Sequence, residues 1–180
     1  MKTAKEMYDY CLKQKLGAGF SAGNSLKHFE VIASNLRSDE NVLFVFIGLH
    51  NYVSMTKHDN NFAYAITNKR ILMGQKKVIG QNFQSVALDQ VNDIKFKSGL
   101  ALGVITIDTI KETFNVALDK AQASNINDQI HKILMDLKGR SAAPSHSSGA
   151  DDIRKYKQRL DDGIITQDEF NRKKALILGI

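Results

Sequence analysis

Between Asn41 and Ala117 the chain breaks into seven short runs rich in Val, Ile, Phe and Thr, spanning 42–48, 62–67, 70–75, 83–87, 93–97, 104–109 and 113–117. No other feature limits the fold so strongly. β-Branched and aromatic residues suit a half-buried pleated strand, and the segments between the runs are too short for the helical crossovers that parallel strands require. Consecutive runs should therefore pair as antiparallel hairpins. Asn68 and Lys69 make a tight link between the second and third runs, with Asn68 suited to a positive φ, while Ser98 and Gly99 open the bend before Gly103.

Helices are expected on both sides of the sheet. Downstream, Asp119 can cap a helix with Gln122 in the capping-box position, and Ile126, Ile130, Ile133, Leu134 and Leu137 then recur at helical spacing. That stripe must be buried, and the open end of a nearly closed sheet is its natural partner. Upstream, Ala4, Met7, Tyr8, Cys11 and Leu12 line one helical face. Gly17, Gly19 and Gly23 interrupt it, and Asn24 or Ser25 can cap a second helix carrying Leu26, Phe29, Ala33 and Leu36. Packing on the sheet and mediating assembly both fit this pair of helices. The glycine string is read as a turn, because it follows a helix and lacks the Gly-Lys-Ser/Thr ending of a phosphate loop.

The segments Ala65-Ile66-Thr67-Asn68-Lys69-Arg70-Ile71-Leu72, Val86-Ala87-Leu88-Asp89-Gln90-Val91 and Gly99-Leu100-Ala101-Leu102-Gly103-Val104-Ile105-Thr106-Ile107, set in seven strands and one helix, resemble the bacterial pleckstrin-homology (PH) pattern, specifically the YokE-like group. The resemblance covers residues 38–138. It implies an α+β fold: a PH-like seven-stranded antiparallel barrel with a C-terminal capping helix, preceded by a helical segment over 1–37. It also implies a bacterial or phage setting but no activity, and a non-enzymatic binding or scaffold role is the expectation. PH domains that bind inositides carry a basic motif around the first hairpin loop, and the matching stretch 51–61 offers only Lys57 and His58.

Residues 139–150 contain the sole proline and no apolar residue larger than alanine, so they are read as a flexible linker. Beyond it, Ile153, Tyr156 and Leu160 line a short helix, Gly163 stands where a left-handed C-terminal cap belongs, and Thr166 with Glu169 forms a capping box. Ile165 can staple to Phe170 across that cap. Residues 151–180 resemble the SHOCT family, a short C-terminal domain. A hairpin of this size cannot bury a self-sufficient core, so its apolar face, Ile153, Tyr156, Leu160, Phe170 and Ile177, calls for a protein partner or a second copy.

Chemistry-bearing residues are sparse. Cys11 is the single cysteine, which leaves no intrachain disulfide, and its place on a helical face marks it as a buried structural thiol. His50 and His58 flank the first hairpin loop without an evident third ligand, and His131 and His146 are read as solvated. Asp151-Asp152 and Asp161-Asp162 suit helix ends better than a catalytic cleft. No catalytic residue, metal site or cofactor is expected, and a small-molecule substrate is not anticipated.

The formal net charge is +6, but residues 38–139 carry eleven basic and ten acidic groups, so the sheet domain is nearly neutral. Nucleic-acid readers concentrate positive charge on the docking body, which ranks that partner last. Lys69, Arg70, Lys76 and Lys77 form the one local basic cluster, a candidate contact for anions or anionic lipid. The N-terminus has charges scattered through it, unlike a signal peptide, and the longest apolar run, 42–49, is far short of the ~20 residues of a membrane span. A cytoplasmic location is the expectation.

Overall fold

All seven strands form, each within two residues of its expected ends: β1 (Val42–Leu49), β2 (Asn61–Thr67), β3 (Arg70–Lys76), β4 (Gln81–Ala87), β5 (Val91–Ser98), β6 (Leu102–Thr109) and β7 (Thr113–Asp119). The computed structural model describes residues 1–17, 22–142, 149–161 and 165–178. The strands make one antiparallel sheet in the order β4-β3-β2-β1-β7-β6-β5, leaving β4 and β5 as its edges. Two compact units result, Met1–Met135 and Asp136–Ile180.

In the first unit, β2 is buried on both faces. Phe46 and Tyr64 are register partners whose rings stack 4.6 Å apart on one face. By the alternation of the strand, Ala63 and Ala65 lie on the other face with their partners Gly74 and Leu72. The small Ala63, Ala65 and Gly74 admit α2 (Ala22–Ser34). A Cβ on Gly74 would stand 2.9 Å from Ile32 Cγ1 and 3.1 Å from the His28 carbonyl oxygen. The N-terminal helices are thus built into the sheet domain. α2 starts at Ala22 rather than after an Asn24 or Ser25 cap, and Ser25 is buried.

α1 (Ala4–Lys13) carries a Thr3–Glu6 capping box, a Thr-x-x-Glu pattern legible in the sequence, and it buries Met7 and Cys11 completely. The Cys11 thiol donates to the Leu16 carbonyl at 2.9 Å. Leu16 in turn accepts the Ile47 N–H at 3.0 Å, on the side of β1 where β7 supplies a single register pair, Leu49 with Ala117. Gly17 has φ +85°, and a Cβ there would meet the Ile47 carbonyl oxygen at 1.8 Å, so only glycine fits.

α3 (Lys120–Ala142) is capped by Asp119, whose Oδ1 accepts the N–H groups of Ala121 and Gln122, and it buries Ala123, Ile126 and Ile130 in the core. The Gln122 side chain does not complete the expected capping box. Its Oε1 accepts the Gly17 N–H at 3.1 Å instead, joining the segment after α1 to α3. Asn68 likewise is not left-handed; its side chain accepts the Asn41 N–H at 2.8 Å and ties the β2–β3 turn to the approach to β1.

The second unit contains α4 (Gly149–Asp161) and α5 (Gln167–Leu178). Thr166 and Glu169 form the expected capping box, with Glu169 Oε2 accepting the Thr166 N–H at 2.8 Å. Helical backbone enters the compositional linker from both sides, over 139–142 and 149–150, because extending a formed helix costs little where no proline intervenes. Gly163, Asp162, His146 and Gly19 lie outside the described residues.

Candidate functional site

The four basic residues singled out in the sequence do not form one patch. Lys69 and Arg70 sit at one end of β3, and Lys76 and Lys77 at the other, about 20 Å away at the rise of a strand. Lys69 is ion-paired with Asp39. Arg70 makes a bidentate pair with Glu40 (Nε to Oε1 2.6 Å, Nη2 to Oε2 2.9 Å), donates to the Asn35 carbonyl at 2.8 Å and reaches Ser85 Oγ at 3.3 Å. The Glu40 carboxylate has no exposed surface and also accepts the Arg37 N–H at 2.9 Å. Arg70 beside it holds Glu40 below its ordinary range. This guanidinium fastens the end of α2 and the turn after it to β3 and β4, and its donors are engaged there.

Lys76 and Lys77 instead line a cleft of about 1110 Å³, together with Lys27 and His28 of α2, Asp59 and Asn61. His28 was not among the residues picked from the sequence. It shares a helical face with Ser25 and Ile32, and a histidine one turn from Ile32 on that face was the available signal. Its side chain is only 6% exposed, and Nδ1 accepts the Lys76 N–H at 2.9 Å. The Nε2 therefore carries the proton, and burial pushes the imidazole below its ordinary value. Beneath it Gln75 donates to the carbonyls of Asp59 and Asn61, and Asn82 donates to Gln75 Oε1 at 3.0 Å. The cleft floor is held by a closed set of hydrogen bonds.

His50 and His58 do not meet. His58 accepts the Asn60 N–H on Nδ1 at 3.0 Å and directs Nε2 to the Met55 carbonyl at 3.2 Å, so both nitrogens serve the β1–β2 loop. His50 is fully buried, stacked on Phe62 at 4.1 Å, with Nδ1 2.5 Å from the Tyr64 hydroxyl. Burial raises Tyr64 well above its usual range, so its hydroxyl keeps its proton in that bond. His131 is exposed. Among the described residues no group of three or more His, Cys, Asp and Glu side chains gathers as a metal site.

The same end of the sheet displays apolar side chains. Val78 and Ile79, at the β3–β4 turn beside Lys77, are almost wholly exposed, and Val53, Met55 and Ile110 are about two-thirds exposed on the β1–β2 and β6–β7 connections. Strand direction alternates through the sheet, so these three turns share one end. In the hairpin unit Phe170 is buried, while Ile153, Tyr156, Leu160 and Ile177 are half-buried. Arg159 lies 5.7 Å from the Tyr156 ring centre, a cation–π distance. Among the described residues no helix is long and apolar enough to cross a membrane.

Two family models match the chain, one described as bacterial PH domain over residues 36–132 and one as short C-terminal domain, SHOCT, over residues 151–178. No curated protein matches it. Among solved structures it is similar to the Vps36 N-terminal PH domain, with 17% identity, a TM-score of 0.43, and coverage of 58% of this chain and 86% of that one. It is also similar to the hSac2 domain from human phosphoinositide phosphatase Sac2, with 11% identity, a TM-score of 0.43, and coverage of 63% and 85%. With seven antiparallel strands, a C-terminal helix packed on them and a family match over more than half its length, the chain belongs to the bacterial PH domain family and carries a SHOCT domain at its C-terminal end.

Proposed function

We propose that this protein is a non-enzymatic interaction module in which the PH-like unit is a rigid scaffold and the SHOCT hairpin docks on another protein surface, first of all a second copy of the chain. The observation that carries this reading is the state of the hairpin. Among its described residues Phe170 alone is buried, while Ile153, Tyr156, Leu160 and Ile177 remain half-open to water. Two short helices with so little enclosed surface gain stability by covering that face. Charging it with Ile153→Asp and Ile177→Asp is expected to lower the solution mass measured by light scattering while the helical signal of the sheet domain persists. An unchanged mass would count against the proposal. YokE-like membership, suggested by the three quoted segments, accords with a scaffold role.

A second reading is peripheral docking on an anionic membrane, and it rests on a separate observation: Val78 and Ile79 stand exposed at a turn flanked by Lys76 and Lys77. Aliphatic tips can enter the interfacial zone while each lysine near an anionic leaflet contributes about 1 kcal/mol. Lys69 and Arg70 take no part in this version, being paired with Asp39 and Glu40. Co-sedimentation with phosphatidylserine vesicles should be measurable at low salt, weaken as salt is added, and vanish in Val78→Asp/Ile79→Asp. Equal sedimentation of that variant would eliminate the turn as the docking element.

A further inference from the structure

The connection between β1 and β2 enters and leaves through left-handed backbone, with Asn51 at φ 50° and Asn60 at φ 65°. Asn tolerates that region, but the chain gives up a more favourable one at both ends of the loop. His50 closes its base. The His50 N–H donates to the Asn60 carbonyl at 2.9 Å, and the His50 carbonyl accepts the Asp59 N–H at 2.8 Å. Below those bonds the imidazole is fully buried, with ring centres 4.1 Å from Phe62 and 5.5 Å from Phe114 and with Nδ1 2.5 Å from the Tyr64 hydroxyl. Among the described residues nothing hydrogen-bonds to Nε2.

That pocket suits a neutral ring. An imidazolium would carry an N–H on both nitrogens, one of them without an acceptor, and would place its charge among aromatic rings. Tyr64 faces it from β2, Asp59 from the loop, the uncharged Gln84 from β4, and Phe114 from β7. Asp59 and Gln84 favour the charged ring, but burial outweighs both and holds the imidazole below its ordinary value. His58 ties the other side of the loop by accepting the Asn60 N–H on Nδ1 at 3.0 Å, a bond that a proton on that nitrogen would replace with two opposed N–H groups. The charged groups lining the cleft with His58 are Asp59, Lys76 and Lys77, and Lys27 and Glu30 of α2.

We propose that the β1–β2 connection is an acid-operated latch: the neutral His50 ring, seated on Phe62 and Tyr64, holds it closed, and proton uptake by the released ring holds it open. The closed form binds the proton less readily than the open one, so opening gains as the pH falls below about 6.5, where a solvated histidine charges. Release would also free Asp59, whose carbonyl accepts from Gln75 at 2.7 Å, and so loosen one wall of the cleft beside α2.

The test is native-state hydrogen exchange of the full-length chain, followed by nuclear magnetic resonance from about pH 7.5 to 5 and corrected for intrinsic rates. The amides of His50, Asp59 and Tyr52, the last donating to the Asn115 carbonyl, report the latch, and those of Ile105 and Ile107 on β6 report global unfolding. The loop amides are expected to exchange faster than the β6 amides, through an opening that low urea barely changes and whose equilibrium rises at least about tenfold per pH unit below about 6.5. His50→Phe keeps a ring on Phe62 but takes up no proton, and it should remove about tenfold per pH unit from that slope. Loop amides that match β6 in protection and urea dependence, or a loop opening indifferent to pH, overturn the latch, and both are read on the wild-type chain without the variant. A slope unchanged in a folded His50→Phe overturns the assignment to His50.

Discussion

Burial decides the role of each titratable residue, and it divides the conspicuous basic cluster into two kinds. Arg70 is a structural clamp: its removal would leave the enclosed Glu40 carboxylate without its partner, so Arg70→Ala is expected to lower unfolding stability by about 3–5 kcal/mol in urea titrations. The same residues set a pH profile. His28 and His50 are held below their ordinary values by burial, with Asp59 and Gln84 opposing this at His50, so the unfolded chain binds protons there before the folded one does. Stability should start to fall as the pH drops below about 6.5, the unfolded histidine value, and level off below the lower folded values. Glu40 is depressed by Arg70, so its contribution is complete above the unfolded carboxylate value of about 4.3 and disappears as the pH falls through its lower folded value. Urea midpoints that stayed constant between about pH 8 and 5 would contradict the histidine assignment. The sequence displayed Arg70 and Lys77 alike as cations, because an ion pair across 30 residues leaves no local pattern to read.

At the scale of elements, most of the architecture was legible. Seven β-rich runs became seven strands, the Ile126 and Ile130 stripe became the buried face of α3, and Thr166 with Glu169 opened α5 as a capping box. What escaped were contacts between distant segments. Gln122 looked like a local cap and instead holds Gly17, and Asn24 looked like a helix start that α2 had already passed. His28 escaped for the same reason, since its value to the cleft comes from Lys76, 48 residues later. The integration of α1 and α2 leads to a specific expectation. A fragment of residues 36–142 keeps every strand and α3 but bares Ala63, Ala65, Leu72 and Gly74 along the sheet, an apolar face that should bind a hydrophobic dye and aggregate. A fragment that was monomeric and cooperatively folded would show that the helices are dispensable.

At the scale of the whole molecule, the chain joins a sheet domain with a deeply buried apolar core to a hairpin whose apolar residues are only partly covered. The near neutrality of residues 38–139 turns attention from nucleic acid toward protein surfaces and single anionic groups. The sequence could mark the hairpin's apolar face, because helical spacing is local, but it could not name what covers that face, because a partner's surface is not written in this chain. The decisive measurement is the solution mass, by light scattering after size exclusion, of the full chain beside a truncation ending at Ala142. A full-length mass rising with concentration from 20.1 kDa toward a multiple of it, with the truncation monomeric throughout, is the result expected if the hairpin drives assembly. Monomers of both proteins at every concentration would contradict it.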